Sequence, residues 1–277
     1  MTTTLTTRDG LVLPGIGFGT YRLTGADGVR AVRSALDAGY RLLDSAMVYD
    51  NEGTVGRAVR ESGVPREDVI VTSKLPGRFH DRRAAVAAVE ESLYRTGLDR
   101  LDLYLIHWPN PGHGRFVDAW QGLLDARERG LVREVGVCNF LPEHLARLER
   151  ETGVMPVVNQ IELHPYLPQT QALAWHREHG VLTQAWTPIG RGNDLLGHPV
   201  VRAVAERAGA TPAQAVLAWH RQVGALPLPK AADPGRQREN LAALDVTLAD
   251  DDVAALTALG RPDGRTTNQD PAVWQDL

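Results

Sequence analysis

Val69-Ile70-Val71-Thr72-Ser73-Lys74 is a short, mostly apolar run that never alternates clearly with polar residues and ends on a cation. Such a run fits a strand buried on both faces of a parallel sheet. Similar runs lie on either side of it: residues 41–44 end on Asp44, 101–107 on His107 and 135–138 on Cys138. Those polar ends are 30, 33 and 31 residues apart, about one strand-helix-strand unit each. The intervals carry helical spacing. Residues 28–38 set Val29, Val32, Ala35 and Leu36 on one face and stop at Gly39, and residues 81–96 stop at Gly97. Thr211-Pro212 reads as a cap followed by a first-turn proline, opening a helix through Ala215, Leu217, Ala218 and Trp219. Further strand-length runs at 157–161, 182–186 and 226–228, with an opening strand near 16–20, bring the total to eight.

Eight strands alternating with helices fit either an open doubly wound sheet or a closed barrel. An open dinucleotide-binding sheet normally carries G-x-G-x-x-G at its first turn. Here the glycines are Gly15, Gly17 and Gly19, and Thr20 holds the sixth position. The expected fold is therefore a (β/α)8 TIM barrel of the α/β class, occupying residues 1–277 as a single domain with a short C-terminal tail.

Composition narrows the function. With 43% hydrophobic and 23% charged residues, the 277-residue chain reads as an ordinary globular protein. Its 34 acidic and 30 basic residues are scattered, giving a net charge of -4 and no block suited to nucleic acid. No apolar run approaches the roughly 20 residues that span a bilayer, and the start lacks the pattern of an export signal. Cys138 is the only cysteine, so no intrachain disulfide is expected. These features predict a cytoplasmic protein with no membrane or nucleic-acid partner. The histidines outside the strand ends form no metal-ligand spacing with carboxylates, so no catalytic metal is expected.

Barrel enzymes carry their chemistry where the strands end. Asp44, Lys74 and His107 hold that position, and the loop after Asp44 adds Tyr49 before Asn51-Glu52-Gly53 opens a helix. Singly, each has a plain structural reading: a cap, a solvated lysine, a core histidine or a packing tyrosine. Together they suit carbonyl reduction, which needs a hydride from a cofactor and a proton for the developing alkoxide. A phenol can supply that proton when an ammonium and an imidazole assist it, and a carboxylate can hold the ammonium.

The stretches Asp44-Ser45-Ala46-Met47-Val48-Tyr49-Asp50-Asn51-Glu52, Thr72-Ser73-Lys74-Leu75, Asp102 to Pro109 and Gly136-Val137-Cys138-Asn139-Phe140 resemble aldo-keto reductase signatures. So do Gly17-Phe18-Gly19-Thr20-Tyr21, Asn159-Gln160-Ile161-Glu162-Leu163-His164-Pro165, and Pro229-Lys230-Ala231 continuing through Arg236 to Glu239-Asn240. The pattern is similar to that of bacterial 2,5-diketo-D-gluconate reductase-like members, which reduce small dicarbonyls and keto sugars. The resemblance implies a catalytic tetrad of Asp44, Tyr49, Lys74 and His107, and a nicotinamide cofactor, NADPH with NADH as an alternative, extended across the barrel mouth. It implies that Cys138, Asn139 and Gln160 hold the carboxamide and that Trp186 stacks on the ring. Gly190 and Arg191 would follow the pyrophosphate, while Lys230, Ala231 and Arg236 would surround the 2′-phosphate. Glu239 and Asn240 would meet the adenine, and Gly19, Thr20, Tyr21, Asp44, Thr187 and Ile189 would complete the cofactor contacts. Tyr21, Tyr49, His107 and Trp108 are the expected substrate-binding residues for a small carbonyl compound, and a monomer is the expected state.

Three departures from that pattern stand out. Cys138 and Ala231 replace frequent serines, which weakens one carboxamide contact and the preference for NADPH over NADH. Pro76 stands where many relatives have tryptophan, which widens the substrate pocket. Two other functions use the same barrel: a Lys74 Schiff-base lyase, detectable by borohydride trapping, and a regulatory barrel that binds the cofactor without oxidising it.

Overall fold

The computed structural model describes residues 4–276. An antiparallel hairpin, β1 (Thr4–Thr6) and β2 (Val12–Pro14), precedes eight parallel strands. These are β3 (Phe18–Gly19), β4 (Leu42–Asp44), β5 (Ile70–Leu75), β6 (Leu101–Ile106), β7 (Val132–Cys138), β8 (Val158–Glu162), β9 (Leu182–Trp186) and β10 (Ala225–Pro227). Each pairs with the next in chain order. The ring closes through backbone bonds of 3.0 Å from Gly17 N–H to Pro227 O and from Gly19 N–H to Pro229 O. The seam is tight: a Cβ on Gly17 would press on the Leu228 and Leu42 side chains and make them shift. The fold is thus a (β/α)8 barrel, as the strand periodicity predicts.

Helices α1 (Gly25–Ala38), α2 (Glu52–Glu61), α3 (Arg82–Thr96), α4 (Phe116–Glu128), α5 (Pro142–Thr152), α6 (Thr170–Glu178), α7 (Pro199–Arg207), α8 (Pro212–Gln222), α9 (Pro234–Leu241) and α10 (Asp250–Thr257) occupy the intervals and the C-terminal region. Their ends follow local chemistry. Gly39 closes α1 at φ 114, a left-handed conformation that costs a residue with a side chain far more. Thr211 Oγ1 accepts from Gln214 N–H at 3.2 Å while Gln214 Oε1 accepts from Thr211 N–H at 2.9 Å, a reciprocal cap for α8. The first helix begins at Gly25, three residues ahead of the apolar pattern that announces it, because its opening turn is solvent-facing.

The hairpin and helices α7 and α10 went unread in the sequence. The hairpin carries Leu11 and Leu13 into a buried cluster with Leu42, Ile70, Leu103, Val157 and Leu226, so it plugs the end where the strands begin. Trp219 of α8 donates from Nε1 to Thr257 Oγ1 at 2.9 Å, which ties α10 to the barrel wall. Among the described residues, no helix is long and apolar enough to cross a membrane.

Candidate active site

Strand register explains how the charged groups meet. Asp44 is paired with Thr72, and Lys74 lies two residues beyond Thr72, so all three side chains share one face of the sheet, the barrel interior. Lys74 Nζ reaches both Asp44 carboxylate oxygens at 2.8 Å and Ser45 O at 2.7 Å. Its three protons therefore have three acceptors. Lys74 is 1% exposed and Asp44 5%. Burial alone would depress the Lys74 ammonium, but the Asp44 carboxylate more than offsets this and holds its pKa above the usual lysine range. Cys138, Gln160 and Gln184 form one register row beside the pair. Gln160 Nε2 donates to Asp44 Oδ1 at 2.8 Å and to Gln184 Oε1 at 3.1 Å.

Tyr49 ends a single 3-10 turn, Met47–Tyr49, that follows β4. Its ring centre is 5.0 Å from Lys74 Nζ, 6.1 Å from the His107 ring and 5.1 Å from the Tyr21 ring. Burial pushes the Tyr49 phenol up to about 12, while the charge of Lys74 and its hydrogen bond pull the other way. The phenol is consequently protonated at neutral pH, as a proton donor must be.

His107 follows β6 directly, and its backbone N–H donates to Leu75 O at 3.0 Å. Its carbonyl accepts from Asn139 Nδ2 at 3.0 Å, and Asn139 Oδ1 in turn accepts from the Trp186 indole at 2.8 Å. His107 Nδ1 lies 2.9 Å from Asp276 Oδ2. An ionised carboxylate only accepts, so Nδ1 carries the proton there and Nε2 is left for another partner. Trp108 stands edge-on to Trp186 at 6.5 Å and 6.2 Å from Trp274, completing an aromatic wall.

The residues expected to contact a cofactor fall into two groups. The first surrounds the charged centre. Cys138 is buried, and burial pushes its thiol pKa well up, leaving a neutral and weak donor. Asn139 has φ 63, and Thr20 Oγ1 donates to Asp44 O at 2.9 Å. The second group follows the rim. Thr187, Gly190 and Arg191 have φ of 55, 76 and 53, so the chain after β9 turns sharply past half-buried Ile189. The Arg191 guanidinium lies 5.5 Å from the Tyr21 ring centre. Lys230 and Arg236 are exposed and in no ion pair among the described residues, while Ala231 is buried with its carbonyl bonded to Gln237 at 3.0 Å. Asn240 is buried, and the Glu239 carbonyl accepts from Gln214 at 3.0 Å.

This arrangement fits an extended dinucleotide phosphate. Gly19 lies against the start of the Lys230 loop: a Cβ there would sit 3.0 Å from the Leu228 carbonyl oxygen and 3.5 Å from Lys230 Cβ. Exposed cations without carboxylate partners suit phosphate groups. Gln184 Nε2 is buried with no partner among the described residues, next to the amide expected to meet a carboxamide.

Sequence reasoning missed Ser45, Gln184, Asn110 and Asp276. Gln184 was within reach, since it precedes Trp186 by two positions and so shares its face of β9. Asp276 offered no signal, because it lies 169 residues from His107.

A buried lysine-carboxylate pair beside a protonated tyrosine and a histidine, at the strand-end mouth of a (β/α)8 barrel, is chemically capable of proton transfer to an oxygen atom. The pattern that defines the aldo/keto reductase family matches residues 15–261, and the chain belongs to that family. It is 50% identical over 274 residues to 2,5-diketo-D-gluconic acid reductase B of Corynebacterium sp., covering 99% of this chain and 98% of the relative. It is 40% identical over 265 residues to methylglyoxal reductase DkgA of Salmonella typhimurium, covering 95% of each. Among solved structures, a Gox0644 mutant in complex with NADPH superposes with a TM-score of 0.94 at 36% identity, covering 99% of each chain. The Bombyx mori aldo-keto reductase in complex with NADP gives a TM-score of 0.90 at 32% identity, covering 97% of this chain and 95% of that one.

Proposed function

We propose that this chain reduces small aldehydes and ketones, dicarbonyls and keto sugars foremost, to alcohols with NADPH, accepting NADH less well. The observation that carries the reading is the fully hydrogen-bonded Lys74–Asp44 pair 5.0 Å from the Tyr49 ring, an expensive arrangement that a plain binding module does not require. The nicotinamide, when bound, supplies the hydride to the carbonyl carbon. Tyr49 gives its proton to the carbonyl oxygen. The Lys74 ammonium stabilises the resulting phenolate, and Asp44 and Ser45 O keep that ammonium in position. His107 orients the carbonyl oxygen through the ring nitrogen that Asp276 does not use. Trp108, Trp186 and Tyr21 exclude water from the pocket. Asn139, Gln160 and Cys138 would hold the carboxamide, Gly190 and Arg191 the pyrophosphate, Lys230 and Arg236 the 2′-phosphate, and Glu239 and Asn240 the adenine. The same reading has the chain acting as a monomer in the cytoplasm.

The test is oxidation of NADPH and of NADH against a carbonyl panel containing methylglyoxal and 2,5-diketogluconate. Turnover of several panel members with NADPH ahead of NADH is expected. Tight binding of NADPH without oxidation by any carbonyl would overturn the reading in favour of a cofactor-binding regulator.

A further inference from the structure

The C-terminal tail enters the mouth of the barrel and is held there by several contacts. Gly77 N–H donates to Asp276 O at 2.9 Å, Asn110 Nδ2 donates to the same oxygen at 3.3 Å, and Asp276 N–H donates to Asn110 Oδ1 at 2.5 Å. A Cβ at Gly77 would collide with both Asn110 and Asp276 O, so the glycine keeps this seat open. Trp274 packs 6.2 Å from Trp108 just before it. The Asp276 carboxylate is thereby fixed 2.9 Å from His107 Nδ1.

A carboxylate there alters which substrates the pocket tolerates. With a neutral imidazole the His107–Asp276 pair has a net negative charge; with an imidazolium it has none. In neither state does it offer a net positive charge to an anion. The other cations nearby are committed elsewhere. Lys74 is held by Asp44, and Arg115 donates to Asp81 at 2.8 Å and to Asp118 at 3.0 Å. Arg78 stacks over Phe79 at 4.9 Å and is exposed, so water screens its charge. His80 shares the field of Asp276 with His113 and Arg115, but burial pushes its pKa down to about 4, so it is neutral at pH 7. Arg191, Lys230 and Arg236 lie along the groove expected to take the cofactor phosphates.

We infer that Asp276 is a specificity-determining residue that selects uncharged carbonyl substrates over those with a carboxylate next to the reacting carbon. The inference rests on the carbonyl-reductase reading and deepens it. A 2-oxo acid bound with its ketone oxygen at His107 would place its own carboxylate on the far side of the ring that Asp276 holds, within a range where like charges in a partly polar site repel by a factor of roughly tens.

The test compares pyruvate with methyl pyruvate, which share the reacting ketone and differ in charge. The ratio of kcat/KM for ester over acid is expected to be roughly 30-fold, and Asp276→Asn should narrow it by about tenfold while slowing both substrates alike through looser seating of His107. Asp276→Ala should narrow the ratio as well. Equal efficiency on acid and ester in the unmodified protein, or a ratio unchanged in both variants, would overturn the inference. Binding of the same two ligands with oxidised cofactor present, read by quenching of Trp108, Trp186 and Trp274, measures the discrimination without turnover. Loss of turnover on every carbonyl would thus count against the reductase reading, whereas equal binding of acid and ester would count against the role of Asp276.

Discussion

The two ends of the barrel are built from the same eight strands and differ in kind. Where the strands begin, Leu11 and Leu13 of the hairpin close over Leu42, Ile70, Leu103, Val157 and Leu226. Where they end, Asp44, Lys74, Gln160 and Gln184 fill the interior with polar groups joined by hydrogen bonds. The first end is held by shape and dry contact, and each buried leucine contributes about 1.5–3 kcal/mol. At the second end, burial works against the charged groups, and they persist only because all three Lys74 protons and both Asp44 carboxylate oxygens have partners. Substitutions at the first end should therefore change stability alone. At the second end, stability and chemistry should change together.

Lys74→Met gives the largest expected effect. It leaves Asp44 buried without its cation, which costs about 3–5 kcal/mol in a urea unfolding experiment at neutral pH, and turnover should fall by at least about 100-fold. Because the Lys74 pKa is raised in the folded protein, the contribution of the pair is fully present below the ordinary lysine pKa and is lost as pH rises through the higher folded value. The gap between Lys74→Met and the unmodified protein should accordingly narrow only in strongly alkaline solution. A constant gap across that range would break the comparison. Leu13→Ala, at the opposite end, should cost about 2–5 kcal/mol of stability through the cavity it leaves, with kcat of the folded protein unchanged. A loss of kcat comparable with that of Lys74→Met would show that the two ends are not separable.

The same contrast governs how much could be read without coordinates. Strand ends were legible to within one residue of 44, 74, 107 and 138 because a parallel barrel imposes a period on its apolar runs. The meeting of Asp44, Tyr49, Lys74 and His107 was legible because those ends share one mouth. The hairpin was not: Thr4–Thr6 and Val12–Pro14 are three residues each, and their pattern is too short to distinguish from a loop. Helices α7 and α10 lie outside the one-helix-per-strand rhythm: α7 runs into a second helix, α8, before β10, and α10 has no strand after it among the described residues. Asp276 was out of reach for a different reason. Its partner is fixed by where the tail lands, through backbone groups of Gly77 and the side chain of Asn110, and no local pattern encodes that landing. Cys138 and Ala231 were identified as departures from the family pattern, and both prove buried and unable to supply the hydroxyl that serine would.

The central claim is that Tyr49 is the proton donor. Tyr49→Phe tests it most directly, because the ring and its contacts with Tyr21 and His107 remain while the hydroxyl alone is removed. NADPH affinity, measured by fluorescence titration, should stay within about twofold, and kcat for methylglyoxal should fall by about 100-fold to 10,000-fold. Near-normal turnover by Tyr49→Phe with NADPH bound normally would contradict the account.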